Sequence, residues 1–371
     1  MNLLRFNSRS FLRLISLYSL AFAVLAFSLI SCQPNASNSG MWQVTAVAET
    51  EPVSANPDDD AADDPAIWYN ETNPEASLIL GSDKKKGLDV FSLDGKRLKT
   101  FEVGRINNVD LRQGLPWDSL TIDIVGGSNR STNGMTFWSV SGDTSFLRPL
   151  GNFPTSMPDV YGFCMYKSPK NGMAYAFVNS KTGKVEQWRL RMDGDSLKID
   201  LVRSLQLVGQ VEGMVADDSL STLFVGVEDE GVYVFDAEEN GSTEGKFLED
   251  SGMNNPQIKA DIEGLAIYYA AGEQGYLIVS SQGNYSYAIF ERSGNYRYLG
   301  SFEIKDGSID GVEETDGLEV SHHSFGAMYP SGVFICQDGY NYEGETKVAQ
   351  NFKMVKWEDI EQGLKQGVLS K

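Results

Sequence analysis

Six short segments of this chain share one pattern, in which an acidic or polar residue precedes a β-forming run and then a turn. The segments are ADDPAIW, NNVDLR, DVYGFCMY, VEGMVAD, DIEGLAIY and ETDGLEV, with matching residues Asp64, Asn108, Tyr161, Glu212, Glu263 and Asp316. Successive matching residues lie 44, 53, 51, 51 and 53 positions apart. A recurrence of about 50 residues with few helical stretches is typical of a β-propeller.

Between the matching residues the chain reads as strands and turns. Runs such as TLFVGVEDEGVYVFD and GYLIVSSQGNYSYAIFER are rich in β-formers, and Gly, Asn and Asp interrupt them. About four strands fit each period, so the sequence predicts an all-β, six-bladed β-propeller with four-stranded antiparallel blades. MWQVTAVAET and NFKMVKWEDI, near the two ends, could pair and remove the free edges of the ring.

The first 31 residues read as a targeting segment. Three arginines precede an apolar run over residues 14–30, and a small residue precedes Cys32 in LISC. This pattern resembles the lipobox of bacterial lipoproteins, whose mature N-terminal cysteine carries lipid. The alternative is a single transmembrane segment at the short end of the usual length range. We expect a signal peptide over 1–31, a flexible tether over 32–44 and a propeller domain over 45–365. The protein would be exported and lipid-anchored to the bacterial envelope, periplasmic or at the outer membrane or cell surface.

The charge of the chain argues against one class of partner. There are 31 Lys and Arg against 51 Asp and Glu, and loss of residues 1–31 would remove three more cations. Such an acidic protein is not expected to bind nucleic acid or an anionic membrane surface. Cys164 and Cys336 are too few for a disulfide scaffold and are expected in the core. A closed propeller needs no partner chain, so we expect a monomer.

In a propeller the first strand of each blade lines the central channel, so residues entering these strands converge on one mouth. We expect a group of carboxylates there, with Glu228 added from a second strand: Asp63, Asp64, Glu212, Glu228, Asp261, Glu263, Asp310 and Asp316. Such a cluster cannot stay ionised without cations, and oxygen ligands with almost no histidine favour Ca²⁺ over zinc. The alternative is that each carboxylate caps its own turn, as in Asp-Gly pairs.

Three cations follow their matching residues at similar offsets. Lys84, Arg130 and Lys181 lie 20, 22 and 20 positions after Asp64, Asn108 and Tyr161. Singly, each reads as a solvated surface residue. Together they predict a positive rim beside the carboxylates, which suits a polyanion and phosphate in particular. In PDDDAADD, Asp63 and Asp64 would be the metal ligands, and residues 58–60 a solvated loop.

These motifs resemble a known family. DDPAIW, KKKGL, NNVDLR, SNRS, VYGF, DIEGL, TDGLEV and QNFKMV occur in register with the β-propeller phytases, the calcium-dependent alkaline phytases of bacteria, from about residue 45 to 362. The resemblance implies a phosphomonoesterase that hydrolyses calcium phytate (myo-inositol hexakisphosphate) to lower inositol phosphates. It also implies several Ca²⁺ ions, a calcium-bridged water that attacks phosphorus in line, and no covalent phosphoenzyme.

The resemblance also implies roles for residues. The calcium ligands would be Asp64, Glu212, Asp261, Glu263, Asp310 and Asp316, with Asp63 and Glu228 on more weakly bound ions. The residues holding the phosphate being cleaved would be Lys84, Arg130, Tyr161 and Lys181, with Lys85 gripping a second phosphate. Structural calcium sites would use the backbone oxygens of Pro65 and Val109, near Asn107 and Asn108, and the side chains of Asp338 and Asn341. Asp83 and Lys86 depart from the family pattern and bear on substrate preference.

Two other functions remain open at this point. A calcium-dependent six-bladed lactonase would use channel-mouth carboxylates but would not need the three-cation rim. A non-catalytic surface propeller would need calcium for its melting temperature and not for turnover. Histidine and cysteine phosphatases do not fit, because the only histidines stand in VSHHSFG and neither Cys164 nor Cys336 begins a Cys-x5-Arg motif.

Overall fold

The computed structural model describes residues 41–369; the predicted signal peptide and Cys32 lie outside the described residues. The strands form six main sheets of four or five strands. The first strand of each sheet contacts the first strands of its two neighbours, so that these six strands form a closed ring around a channel. This arrangement confirms the predicted six-bladed propeller.

The described chain begins with two short strands, of which the first belongs to blade five and the second to blade six. They are β1 (Met41–Thr45) and β2 (Ala48–Glu49). Blade one contains β3 (Ala62–Trp68), β4 (Leu78–Asp83), β5 (Gly87–Ser92) and β6 (Arg97–Glu102). Blade two contains β7 (Ile106–Trp117), β8 (Leu120–Asn129), β9 (Gly134–Val140) and β10 (Leu147–Pro154). Blade three contains β11 (Val160–Lys167), β12 (Ala174–Ser180), β13 (Lys184–Asp193) and β14 (Ser196–Gln206).

The later blades follow the same order. Blade four contains β15 (Val211–Asp217), β16 (Thr222–Val227), β17 (Gly231–Asp236) and β18 (Lys246–Phe247). Blade five contains β19 (Ile262–Tyr269), β20 (Gly275–Ser281), β21 (Ser286–Glu291) and β22 (Tyr298–Lys305). Blade six contains β23 (Leu318–Ser321), β24 (Val333–Asp338), an inserted hairpin of β25 (Tyr342–Glu343) and β26 (Thr346–Lys347), and β27 (Asn351–Lys356). Helix α1 (Trp357–Leu369) ends the described chain.

The two ends of the chain close the ring together. Strand β2 is the outermost strand of blade six and pairs antiparallel with β27, Glu49 lying opposite Lys353. This confirms the predicted pairing of the terminal segments. Strand β1 runs parallel to β22 as a fifth strand of blade five, Met41 lying opposite Ser301. Residues 41–44, which the sequence analysis assigns to the tether, therefore form most of a strand.

The hydrophobic core is divided among the blade interfaces. Six apolar clusters are present in the described part of the chain, one between each pair of neighbouring blades. Cys164 lies in the cluster between blades three and four, and Cys336 in the one between blades five and six. Both thiols are buried and unpaired, as predicted for core residues. Because the six first strands contact one another around the ring, they line one continuous channel.

No helix within residues 41–369 is both long enough and apolar enough to cross a lipid bilayer.

Candidate active site

The polar residues of the mouth stand at a backbone irregularity that five blades share. In β3, β7, β11, β15 and β19 the pairing with the second strand shifts by one residue near the start of the strand. Such a bulge changes the direction of the side chains, which no longer alternate regularly between the two faces of the sheet. The first residue of each bulge, and the equivalent residue before β23, form what we call the inner ring: Asp63, Asn107, Tyr161, Glu212, Glu263 and Asp316.

The inner ring corrects the sequence alignment in two blades. Asp63 and Asn107, and not Asp64 and Asn108, occupy the position of Glu212 in blades one and two. The next position is glycine in the other four blades. A Cβ atom at Gly213 would lie 1.8 Å from the carbonyl oxygen of Glu263. The glycines of the Glu-Gly and Asp-Gly pairs therefore allow the backbones of neighbouring strands to lie close together. This is a different role from the turn capping that the sequence analysis gave as the alternative.

A second ring comes from the residue that directly follows the second strand of each blade. This outer ring consists of Lys84, Arg130, Lys181, Glu228, Gln282 and Gly339. The backbone N–H of each member donates to a carbonyl two or three residues before the inner-ring residue of the same blade, for example Lys84 to Ala61 and Glu228 to Gln210. The three predicted cations thus occupy equivalent places on blades one to three. Blades four to six carry an acid, an amide and a glycine there.

Three glutamates of blades four and five form a compact acidic group. Carboxylate oxygens of Glu212, Glu228 and Glu263 all lie within 4.8 Å of one another, and all three residues are buried. Burial, reinforced by Asp63 and opposed by Lys84, raises the pKa of Glu212 to about 7. Burial and then Glu212 raise the pKa of Glu263 well above its usual range. A cavity of about 380 Å³ lies at the mouth, and Asp261 lines it. Burial raises the pKa of Asp261 too.

Lys84 lies among carboxylates at the edge of this cavity. Its ammonium nitrogen is 2.5 Å from Asp60, 3.1 Å from Asp63 and 3.4 Å from Asp316. Burial alone would lower the pKa of Lys84, but the three carboxylates outweigh it and hold the pKa well above its usual value. The loop before β3 is therefore engaged with the site: Asp60 contacts Lys84, and Asp58 lies 2.9 Å from the Lys347 ammonium. Asp58 and Asp60 are exposed, as predicted for a solvated loop, but each also forms an ion pair that the prediction did not include.

The other two cations lie on an aromatic ring. The Lys181 nitrogen is 4.0 Å from the centroid of the Tyr161 ring, and the Arg130 guanidinium carbon is 5.3 Å from it. Burial, followed by the charges of Glu212 and Glu263, raises the pKa of Tyr161, so its hydroxyl stays protonated. Lys85 is exposed next to Lys84, where its backbone N–H donates to Asp83. The mouth therefore joins an acidic half to a cationic half.

The donor set of the acidic half fits a hard divalent cation. Its side-chain ligands are carboxylate oxygens, the type that Ca²⁺ prefers. One oxygen of Asp63 and one of Glu263 are buried without any hydrogen-bond partner. A buried carboxylate oxygen left unpaired is costly, and a bound cation removes that cost.

Other predicted ligands lie elsewhere. Asp64 receives a hydrogen bond from the backbone N–H of Val109 at 3.0 Å, and both residues line, with Pro65, the channel cavity of about 390 Å³. Burial and then Asp63 raise the pKa of Asp64 well above its usual value. The structure thus brings Asp64, Pro65 and Val109 together. This group belongs to the channel cavity and not to the glutamate group of the mouth.

Asp310 does not join the mouth group either. Its carboxylate contacts the Lys353 ammonium at 2.5 Å, and Asp338 and Asn341 contact the same nitrogen at 3.4 and 2.9 Å. Glu49 of β2 contacts it as well, at 2.5 Å. Asp310, Asp338 and Asn341 therefore surround a fully buried lysine that the sequence analysis did not single out.

The roles of three amides at the mouth were not anticipated. Each donates a side-chain hydrogen bond to a carboxylate: Asn107 to Glu212 at 2.6 Å, Gln210 to Glu228 at 2.6 Å and Gln282 to Asp316 at 2.5 Å. The equal offset after the second strand, which identified the three cations, would also have found Gln282. Asn107 was named only as a neighbour of a structural calcium site and Gln210 not at all, because a neutral amide is unremarkable until its partner is known.

Comparisons with known proteins agree with this architecture. Residues 12–368 match the model of the family described as Phytase. The chain is 45% identical over 332 residues to the 3-phytase of Bacillus subtilis (strain 168), which covers 87% of this chain and 86% of that protein. Among solved structures, an auxiliary nutrient binding protein from Bacteroides thetaiotaomicron aligns with a TM-score of 0.50 and 10% identity, over 78% of this chain and 68% of that one. At that identity the likeness concerns the fold alone.

Proposed function

Since this chain belongs to the phytase family and is a 3-phytase-like hydrolase of phytate, we propose that the channel mouth is its active site and that calcium is its metal cofactor. One observation carries the proposal. The buried group of Glu212, Glu228 and Glu263 lies in the same mouth as two cations stacked on Tyr161. A metal-binding half beside an anion-binding half suits a substrate that carries several phosphates.

The acidic half would hold the metal. Glu212, Glu228 and Glu263 would supply its central ligands, with Asp261, Asp63 and Asp316 at the edges of the group. Bound calcium ions would lower the pKa of a water molecule for in-line attack and neutralise charge that develops on the phosphate oxygens. Histidine and cysteine nucleophiles are not needed, in agreement with the absence of their motifs from the sequence.

The cationic half would hold the phosphate. Arg130 can present two parallel N–H groups to phosphate oxygens, and Lys181 adds a point charge beside it. The protonated hydroxyl of Tyr161 can donate to a third oxygen. Lys84 forms three ion pairs with carboxylates. It can join the other cations once a bound phosphate, or a metal cation held by those carboxylates, takes over some of these pairs. The exposed Lys85 would then contact a neighbouring phosphate of the same inositol ring.

Family membership selects among the three functions that the sequence left open. A lactonase does not need cations on three successive blades, and a non-catalytic propeller does not need a cationic half at all. We also propose structural calcium sites at Asp64 with the backbone oxygens of Pro65 and Val109, and near Asp310, Asp338 and Asn341. Exchange of Asp83, the last residue of β4, or of Lys86, in the turn after it, would alter the preference among inositol phosphates.

We further propose that the protein is exported through the signal peptide at 1–31 and held at the envelope by lipid on Cys32, as a monomer. The lipobox-like LISC motif and the polar residues that follow it support this. Metabolic labelling with a radioactive fatty acid tests it: wild type takes up label, and Cys32→Ala does not. Label on the variant, or none on wild type, would refute the anchor.

The main experiment measures phosphate released from phytate while free calcium is raised from excess chelator to millimolar concentrations. Release that depends on calcium is expected. Glu212→Gln keeps the shape of the side chain but removes its charge, and we expect turnover to fall by about 100-fold or more at every calcium concentration. Glu319→Gln is the matched control, because that carboxylate lies in the channel cavity away from the mouth. Release without calcium, or an active Glu212→Gln variant, would overturn the metal assignment.

A further inference from the structure

Asn107 links the two halves of the mouth through one side chain. It is fully buried and is the one neutral amide of the inner ring. Its Nδ2 donates to the Glu212 carboxylate at 2.6 Å, and its Oδ1 accepts from an Arg130 Nη1–H at 3.1 Å. Nδ2 also donates to the side-chain oxygen of Asn108 at 2.9 Å. An acidic-half residue and a cationic-half residue are therefore joined by a single planar group.

The chemistry of these partners determines the orientation of the amide. A guanidinium only donates hydrogen bonds, and a carboxylate only accepts them. The amide oxygen must therefore face Arg130 and the amide nitrogen must face Glu212, because the flipped orientation would set like groups against each other at both ends. Both hydrogen bonds involve a charged group, the kind that contributes most to fixing a geometry. The separation between Arg130 and Glu212 is thus set by one rigid group.

We propose that Asn107 is a positioning residue, which holds the phosphate-binding guanidinium of Arg130 in register with the metal-binding carboxylate of Glu212. This inference rests on the proposed function of the mouth. Neutrality is the essential property of the amide, since it orients both partners and cancels the charge of neither. An aspartate there would form an ion pair with Arg130 and repel Glu212. Lys84 shows the contrasting case, because carboxylates already contact it on three sides.

The test is a double-mutant cycle of Asn107→Ala and Arg130→Ala in the calcium-loaded protein. Two quantities are measured: kcat/KM with phytate and the Kd of inorganic phosphate by calorimetry. If Asn107 acts through Arg130, Asn107→Ala weakens phosphate binding by about 10-fold in the wild-type background and by less than about 3-fold in the Arg130→Ala background. A merely structural role would give equal factors in both backgrounds. Equal factors would overturn the proposal.

Gln210→Ala is the matched control. Gln210 donates the same kind of hydrogen bond, at 2.6 Å, to Glu228, and no hydrogen bond from Gln210 to a cation is found within residues 41–369. We expect it to weaken calcium binding while changing the phosphate Kd by less than about 2-fold. An equal loss of phosphate affinity in both amide variants would show that the link to Arg130 is not the cause, and would also overturn the proposal.

A second variant covers the case in which Asn107→Ala does not fold. Asn107→Asp keeps the volume and replaces the amide donor by a carboxylate oxygen. It should raise KM for phytate by about 10-fold or more, since Arg130 is then paired, and its phosphate Kd should rise in parallel. An unchanged phosphate Kd in a folded Asn107→Asp protein would refute the positioning role. Failure of the proposed function shows up separately, as wild-type protein that releases no phosphate with calcium, while phosphate binding still reports on Asn107.

Discussion

Within residues 41–369, two buried lysines each contact three carboxylates, and they differ in what surrounds them. Lys84 lies at the mouth among Asp60, Asp63 and Asp316, and Asp60 is 71% exposed. Lys353 lies inside blade six among Glu49, Asp310 and Asp338; its pair with Asp338 is sealed, because both side chains are fully buried, although Glu49 is 34% exposed. An ion pair open to a cavity can exchange partners with a ligand, whereas a sealed one can only be kept or broken. We therefore expect the same chemistry to serve function at Lys84 and stability at Lys353.

Lys353→Met tests the sealed cluster and has the largest expected effect. Removal of the ammonium leaves the fully buried Asp338 and the partly buried Asp310 without a counter-charge, which costs about 3–5 kcal/mol of unfolding free energy. Denaturant unfolding measures it. The folded fraction should keep its kcat within about 3-fold, because Lys353 does not contact the mouth.

Added calcium decides whether the Lys353 cluster is also a metal site. If Asp310 and Asp338 hold calcium in the variant, the ion replaces the lost ammonium and restores stability. Stability that does not recover in millimolar calcium would mean that lysine is the only cation of this cluster, and would remove both aspartates from the proposed calcium ligands.

Lys84→Met tests the open cluster and should affect activity more than stability. We expect kcat/KM for phytate to fall by about 100-fold, the loss typical when one stabilising donor is removed from an active site. In chelator the variant should also melt earlier, since Asp63 loses its partner. In calcium that difference should shrink, because a cation takes the place of the ammonium. An equal loss of stability in both conditions would make the Lys84 cluster a sealed one like that of Lys353.

Raising the pH should lower the stability of the calcium-free protein through Glu212. This is opposite to the usual effect of a native carboxyl group, whose lowered pKa makes a protein more stable as the pH rises. The pKa of Glu212 is raised to about 7, mainly by burial and then by Asp63, whereas an unfolded glutamate titrates near about 4.3. Between these values the native state binds more protons than the unfolded state, so stability in chelator falls as pH rises. We expect a loss of about 5 °C in melting midpoint between pH 5 and 7. Glu212→Gln should flatten this slope, and calcium should reverse it because the ion binds the ionised carboxylates.

Lys347→Ala should have the smallest effect. Its ion pair with Asp58 at 2.9 Å is exposed on the aspartate side and ties the loop before β3 to the inserted hairpin. Exposed pairs contribute little, so the melting midpoint should move by no more than about 2 °C. A larger shift in calorimetry would show that the loop is held as firmly as the two buried clusters.

Much of the site follows from regular spacing, and the failures have physical causes. Equal offsets found Lys84, Arg130 and Lys181 because each directly follows the second strand of its blade. The sequence alignment assigns the matching residues of blades one and two one position too late. The cause is the bulge, which breaks the alternation of side chains from which the register is read. The sequence analysis places Asp310 at the mouth with the residues that enter the first strands, although it lies in the loop between β22 and β23 and contacts Lys353. Lys353 itself reads as an ordinary outward-facing residue of NFKMVKW, and its burial depends on carboxylates from distant parts of the chain.

Closure of the ring by β2 and β27 bears on when the protein can fold. Glu49 and Lys353, which meet in the last blade, are 304 positions apart in the chain. Contacts over such a distance form late, because the loop they close is costly in entropy. A chain that crosses a membrane with its N-terminus first therefore cannot complete blade six until nearly all of it has crossed. Until then β2 has no partner, because β27 crosses last, and the free edge of β2 is open to any other unpaired strand. With export as proposed above, secretion rate and folding yield should consequently be coupled.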